Sequence, residues 1–412
     1  MRKINKNPIS TNAKVFSGFA FKSLEFMDSG IPVIKITNVK KKSISLENCQ
    51  FVDKKYLTLN EKYIINNGDI LIALTGSHLS QPNSVVGRVA RYYYKETALL
   101  NQRVGKFIIH NTNKLNLVFL YYYLVQDRVL YNLAYNAKGS ANQANISPSD
   151  VERILIPEFS IQTQGKIASI LSAYDDLIET NRRRIQLLEE AARLLYREWF
   201  VYFRFPNHEN VKIVDGVPEG WKREKINEFV TFLGGYAFKS TSYQQEGKYG
   251  IVTIKNVQQG NFISKCTGYL DEAPDKMKKH CILNNGNILI SLTGNVGRVC
   301  LVYGENYLLN QRVAKIEPKN NTPKSFIYWM FDNSIMQKRV ENLSYGSAQQ
   351  NLSPIKLGEQ SIILPPHKLI ESFDEFASLI NIEIIHLLNQ TQKLTQARDL
   401  LLPRLMSGEI EV

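Results

Sequence analysis

Only four of the 412 residues are cysteine, and Cys49, Cys266, Cys281 and Cys300 show no paired spacing. That excludes a disulfide framework and leaves reduced thiols as the default. Cys281 beside His280, with Cys266 upstream, is the one hint of a metal site, and without a second close pair it does not make a zinc set. No apolar run reaches the roughly 18 residues that a membrane-spanning helix needs. The stretch Val118–Val125 is too short. The amino terminus, Met1-Arg-Lys-Ile-Asn-Lys-Asn-Pro8, has no apolar core for export, so a cytoplasmic protein without a membrane partner is expected.

Residues that chemistry on nucleotides requires are equally scarce. An adenine-modifying site needs an Asn/Asp-Pro-Pro-aromatic loop, and Asn7-Pro-Ile-Ser10 lacks the second proline and the aromatic. Gly234-Gly-Tyr-Ala-Phe-Lys-Ser240 has a lysine and a serine but no glycine before the lysine, so it is no Walker loop. Thr293-Gly-Asn-Val-Gly297 superficially resembles a phosphate loop and reads better as a turn. The six histidines sit apart from one another. Intrinsic catalysis, a bound metal and a bound cofactor are therefore not expected.

What is present is length, charge and repetition. A chain of 412 residues suits two to four domains. With 44% hydrophobic and 22% charged residues, it has the composition of a globular protein with real cores. A formal net charge of +13 favours a polyanionic partner such as nucleic acid. The decisive feature is an internal repeat. Gly18-Phe-Ala-Phe-Lys-Ser23 returns as Gly235-Tyr-Ala-Phe-Lys-Ser240, and Asn66-Asn-Gly-Asp-Ile-Leu-Ile-Ala-Leu-Thr-Gly76 as Asn284-Asn-Gly-Asn-Ile-Leu-Ile-Ser-Leu-Thr-Gly294. Gly87-Arg-Val89 returns as Gly297-Arg-Val299, and Leu99-Leu-Asn-Gln-Arg-Val104 returns unchanged as Leu308–Val313. Phe119-Leu-Tyr-Tyr-Tyr123 corresponds to Phe326-Ile-Tyr-Trp-Met330, and Gly139-Ser-Ala-Asn-Gln143 to Gly346-Ser-Ala-Gln-Gln350. Order is kept throughout.

Each half ends in a long amphipathic segment. The first has a heptad seam at Ile167, Leu171, Tyr174, Ile178, Asn181, Ile185, Leu188, Ala192, Leu195 and Trp199, in which Asn181 is a polar residue of the kind that fixes register. The second seam runs through Ile370, Phe373, Ala377, Ile380, Ile384, Leu387, Thr391, Leu394, Arg398, Leu401 and Leu405, with Thr391 and Arg398 as interruptions. Two readings stay open: the helices pair as a coiled coil, or each covers its own globular half. Ile70–Leu74, Ile288–Leu292, Val85–Arg91 and Val296–Val302 read as strands, while Leu115–Leu130 and Lys324–Val340 read as helical. Glu209–Gly220 reads as the linker into the second half.

This organisation resembles the specificity subunits of Type I restriction-modification systems. The resemblance is carried by Pro218-Glu-Gly-Trp221, Asn284-Asn-Gly-Asn-Ile-Leu289, Gly346-Ser-Ala-Gln-Gln350, Leu364-Pro-Pro366, Glu198-Trp-Phe200 and Leu401-Leu-Pro-Arg-Leu-Met-Ser-Gly-Glu-Ile410. It covers nearly the whole chain, and the order and doubling of these short motifs make it specific. It implies an α+β fold: two mixed α/β target-recognition domains in pseudo-twofold arrangement, separated by two long helices packed as an antiparallel coiled coil. The implied boundaries are 1–157, 158–203, 204–366 and 367–412. The first half lacks the Pro-Glu-Gly-Trp opener, so its domain is expected to miss an edge element, or the chain to be a trimmed form.

The resemblance further implies a subunit without catalysis that binds double-stranded DNA, each domain reading one half of a bipartite asymmetric site. Two modification subunits would bind S-adenosylmethionine and methylate adenine, and restriction subunits would supply ATP-driven translocation and cleavage. A helix from Gln162 to Trp199 would be roughly 55 Å long at about 1.5 Å per residue, enough to span the ~34 Å between half-sites one turn apart. Lys22, Arg88 and Arg103, with Lys239, Arg298 and Arg312, occupy equivalent places and suit phosphate contacts or scaffold. The unshared Ser77–Ser84, with Ser77, His78, Gln81 and Asn83, is a candidate for reading bases. So are the loops Lys138–Asn142, with Ser140 and Asn142, and Tyr345–Gln349, with Ser347 and Gln349, while Asn295 is a further DNA-binding candidate. Leu-Asn-Gln-Arg-Val is equally compatible with a buried structural segment, and Arg182-Arg-Arg184 with either a DNA approach or a solvated basic face. The rival readings are a complete DNA-modifying or restriction enzyme and a protein-interaction scaffold that binds no DNA.

Overall fold

The computed structural model of the chain describes residues 4–77, 86–140, 143–344 and 351–412. They form two compact units, residues 1–176 with 395–412 and residues 177–394.

The strands of the first unit are β1 (Lys6–Pro8), β2 (Ala13–Ser17), β3 (Ile31–Ile34), β4 (Gln50–Val52), β5 (Ile64–Ile65), β6 (Ile70–Ala73) and β7 (Thr75–Gly76). They continue with β8 (Val89–Arg91), β9 (Ala98–Leu100), β10 (Val104–Ile109), β11 (Lys138–Ser140), β12 (Gln143–Asn145) and β13 (Leu155–Pro157). An antiparallel sheet in the order β2-β10-β6-β8 packs on one in the order β4-β3-β9-β5, which contains the parallel pair β3 with β9. The aliphatic run of β6 follows from burial on both faces. Ile70, Ile72 and Leu74 point into the cluster holding Phe119 and Leu120, while Leu71 and Ala73 point into the one holding Ile34 and Leu100. Helix α1 (Leu117–Leu124) starts where the Asn116 side chain accepts from the amides of Val118 and Phe119 at 2.9 and 3.0 Å. The helical stretch expected over Leu115–Leu130 is two helices rather than one, because Gln126 is extended and α2 (Asp127–Tyr135) restarts after it. The short helix α3 (Pro148–Glu152) and then α4 (Ile161–Phe200) follow.

The second unit repeats the plan with β14 (Ile213–Val214), β15 (Val217–Pro218), β16 (Lys222–Lys225), β17 (Val230–Gly234), β18 (Tyr249–Val252), β19 (Val257–Gln258) and β20 (Asn261–Phe262). After these come β21 (Tyr269–Leu270), β22 (Ile282–Leu283), β23 (Ile288–Ser291), β24 (Val299–Leu301), β25 (Tyr307–Leu309), β26 (Val313–Pro318) and β27 (Ser361–Leu364). Its sheets run β17-β26-β23-β24 and β21-β18-β25-β22, again with one parallel pair, β18 with β25. Its helices are α5 (Ile226–Phe229), α6 (Lys324–Asp332), α7 (Ser334–Ser344), α8 (Pro354–Gly358) and α9 (His367–Met406), with the same break, here at Asn333. The expected linker forms the hairpin β14–β15, turning at Asp215 and Gly216, both at positive φ.

The expectation of a missing edge in the first half needs correction. β1 pairs with β13 as β16 pairs with β27, so the edge strand is present. It was illegible because Lys6-Asn-Pro8 has no apolar alternation and ends in proline.

The two seams pack inside each unit. In the first, Ile167, Ala168 and Leu171 share a core with Leu402, Leu405 and Met406. Arg398, which interrupts its seam, reaches Asp175 at 2.5 Å, and Asp175 also accepts the Tyr122 hydroxyl at 2.7 Å. In the second, the buried Asn181 amide donates to Gln390 at 2.9 Å and to Thr391 at 3.3 Å. Arg184 pairs with Glu383, and the Trp199 ring meets Phe373 edge-on. Among the described residues, no helix is long and apolar enough to cross a membrane.

Candidate nucleic-acid interface

Four of the repeated motifs, scattered along the sequence, meet at one end of the first sheet of each unit. Antiparallel pairing of β2 with β10, β10 with β6, and β6 with β8 brings Ser17 beside Gly105, Ala73 beside Val104, and Ile72 beside Val89. Backbone hydrogen bonds then tie the segments beyond the strands. Gly18 and Phe19 donate to the carbonyls of Val104 and Leu100, Gln102 donates back to Phe19, and Leu74 donates to Arg103. In the second unit Gly235 and Tyr236 donate to Val313 and Leu309, Gln311 to Tyr236, and Leu292 to Arg312. Gly87 and Gly297 close the third corner by donating to Ala73 and Ser291. One frame is built twice.

Glycine is required where the chains cross. A Cβ on Gly18 would lie 2.2 Å from the Leu100 carbonyl oxygen, and one on Gly235 would lie 2.3 Å from that of Asn310. After this crossing Phe21 plugs a buried aromatic cluster and Lys22 emerges exposed, as does Lys239 in the twin segment.

The loops that differ leave this same frame. β12 pairs with β7, setting Ala144 opposite Gly76, so the chain leaving at Ser77 starts beside the tip of the β11–β12 hairpin. In the second unit a bridge between Thr293 and Asn351 takes that place. Each frame therefore presents a constant edge and a variable one.

Residues 12–190 and 218–391 match the family described as the type I restriction modification DNA specificity domain, once per half. The chain belongs to that family. Among its relatives, the type I restriction enzyme MjaIX specificity subunit of Methanocaldococcus jannaschii is 25% identical, over 71% of this chain and 68% of its own. The type I restriction enzyme HindI specificity subunit of Haemophilus influenzae is 25% identical, over 88% and 91%. The crystal structure of the type I restriction-modification system S subunit from M. genitalium superposes with a TM-score of 0.64 at 18% identity, covering 98% of this chain and 97% of that one, and shows the shared fold.

Within this specificity fold the anticipated residues divide. Arg103 and Arg312 are exposed at the tips of the Leu-Asn-Gln-Arg-Val turns, while the flanking leucines and valines are buried and Val104 and Val313 donate to Asn101 and Asn310. The motif is thus part scaffold, part surface. Arg88 and Arg298 are half-buried, and burial lowers the Arg88 pKa. Arg298 is braced: Nη1 donates to Gln258, and Asn295, with its amide oxygen turned inward, accepts from Nη2 and Nη1 at 3.0 and 3.2 Å. Ser77 stands at the start of the inserted loop. His78, Gln81, Asn83, Asn142, Ser347 and Gln349 lie outside the described residues, as does the side chain of Ser140. Arg182 and Arg183 pair with Glu179. Gln102 and Gln311, exposed beside the tip arginines, were not singled out from the sequence, although their place in an unchanged repeat was a signal.

His280, part of the one hint of metal, donates to the Gly234 carbonyl at 2.8 Å, the same oxygen that the Cys281 thiol faces at 3.9 Å. Among the described residues no three His, Cys, Asp or Glu side chains are placed to hold a metal ion.

Proposed function

We propose that the chain is the sequence-reading subunit of a type I restriction-modification enzyme and contributes no catalytic residue of its own. Each unit reads one half of a bipartite, asymmetric site in double-stranded DNA. The single observation that carries this is the doubled frame with unequal loops: two copies of one backbone scaffold, each presenting exposed cations at the shared edge and different side chains at the other. Phosphate contacts need only position the protein, which suits Lys22, Arg103, Lys239 and Arg312; base readout has to differ between halves, which suits Ser77, His78, Gln81 and Asn83, Ser140 and Asn142 in one and Asn295, Ser347 and Gln349 in the other.

In this reading residues 1–157 and 204–366 are target-recognition domains, and 158–203 and 367–412 are spacer helices forming an antiparallel coiled coil. Partner order supports it: Asp175, Asn181, Arg184 and Trp199 rise while Arg398, Gln390, Glu383 and Phe373 fall. Two helices of 40 residues, about 60 Å each, exceed the ~34 Å of one DNA turn and set the unread gap. Their outer faces carry exposed Leu177, Leu187 and Leu194 on α4 and Phe376, Leu379 and Ile382 on α9. Such apolar side chains suit the docking of two modification subunits, to which restriction subunits attach. The assembly works in the cytoplasm.

Mapping N6-methyladenine across the host genome with and without this gene tests the reading. A split motif that vanishes with the gene is expected. An unchanged methylation pattern, or methylation by the purified chain alone with S-adenosylmethionine, contradicts it.

A further inference from the structure

In each unit an ion pair ties the globular part to a long helix, and the two pairs have opposite polarity. In the first unit the helix supplies the anion: Asp399 of α9 lies 3.1 Å from Lys42. In the second the helix supplies the cation: Arg193 of α4 donates to Asp332 at 2.6 Å, and the Asp332 side chain is 1% exposed. Arg193 and Asp399 occupy the same place in helices of equal length, each seven residues before the last, Phe200 and Met406.

The turns they meet are also twins. Asn38 and Asn256 close them alike, accepting from the amides of Lys35 and Thr253 and donating to the carbonyls of Ser45 and Ile263. Lys42 and Gly260 follow at φ 69° and 68° and donate to the carbonyls of Val89 and Val299. A lysine at left-handed φ is uncommon. Its twin has glycine, and a Cβ there would lie 2.9 Å from the Arg193 guanidinium. One turn sends a cation to the helix; the other clears room to receive one. Both pairs are buttressed. Arg398 adds a 2.9 Å contact to Asp399, and Gln259 donates to Asp332 at 2.5 Å while Glu189 lies 3.4 Å from Arg193.

We propose that these charge-swapped pairs are keys that assign each globular half to its own helix end, so that neither half docks on the other's helix end in a second copy of the chain. Docked on α9, the second half would set Asp332 against Asp399; docked on α4, the first would set Lys42 against Arg193. Like charges facing each other in half-buried sites repel, and the repulsive arrangement enforces the choice. The keying fixes which half of a split site each half of the chain faces, and it stands on contacts inside each unit rather than on DNA binding.

Hydrogen exchange of the full chain without DNA tests it independently of the DNA reading. Asp399→Lys should raise exchange in the 39–44 turn about tenfold and spare 257–262; Arg193→Asp should do the reverse. Adding Lys42→Asp to the first, and Asp332→Asn to the second, should recover most of the lost protection. Should a single reversal fail to fold, the recovered protection of its double variant decides. Unchanged exchange in the single variants, or double variants no better protected than the singles, overturns the proposal.

Discussion

Gly18 and Gly235 hold two strand ends against carbonyl oxygens, and no side chain fits in that space. Gly235→Ala should cost about 3 kcal/mol, read as a lower thermal midpoint, because the obstruction is backbone and cannot rotate away. The exposed tip arginines behave in the opposite way. Arg103→Ala and Arg312→Ala should leave stability within about 0.5 kcal/mol. In the complex with its modification subunits each should weaken DNA binding evenly across sequences and reduce the salt slope by about 1. Loss confined to particular sequences would make them base readers instead. The cysteines follow burial: Cys266, Cys281 and Cys300 are buried, and burial raises their pKa values, while Cys49 is half-buried. A thiol reagent at neutral pH should label at most Cys49 in the folded chain and all four after unfolding. The repeat made Gly18, Arg103 and their twins legible as special. It could not say which of them were scaffold, because that depends on a carbonyl supplied by a strand some eighty residues away.

At the scale of elements, the seams were readable because apolar spacing reports a buried stripe directly. Their interruptions were not, because a polar seam residue is explained only by its partner. Thr391 meets Asn181, and Arg398 meets Asp175 in a part-buried pair. Arg398→Met alone should cost about 3 kcal/mol by stranding Asp175, and Arg398→Met with Asp175→Leu should recover much of it. A double variant as unstable as the sum of its parts would contradict this. Acid should loosen the neighbouring tie. Burial alone would raise the Asp399 pKa, but Lys42 and Arg398 outweigh it and hold it below the usual carboxylate value. Its stabilising contribution is complete above the unfolded carboxyl value, near pH 4, and fades as pH falls through the lowered one. Lys42→Ala should flatten that part of the acid-unfolding curve. The turns at 39–44 and 257–262 did not enter the sequence reading: they share only their opening Asn38-Val39 and Asn256-Val257, and Lys40-Lys-Lys42 and Gln258-Gln-Gly260 have no residue in common. Helix length is the remaining element-scale quantity. Inserting one heptad into both long helices should lengthen the unread gap in the methylated motif, and an unchanged gap would defeat the spacer.

For the molecule as a whole, duplication is the organising fact. Motifs kept in order across two halves already implied two similar folds, and the convergence of four of them on one sheet end shows what they do together: each of the four supplies one part of a frame. The inserted loop after Ser77 breaks the equivalence at the variable edge, where a reader of an asymmetric site has to differ. Replacing His78, Gln81 and Asn83 together by alanine and mapping the methylated motif by single-molecule sequencing tests this most directly. The account predicts that one half-site relaxes or changes while the other half-site and the gap stay as they were. Equal loss at both half-sites, or a motif left untouched, would contradict it.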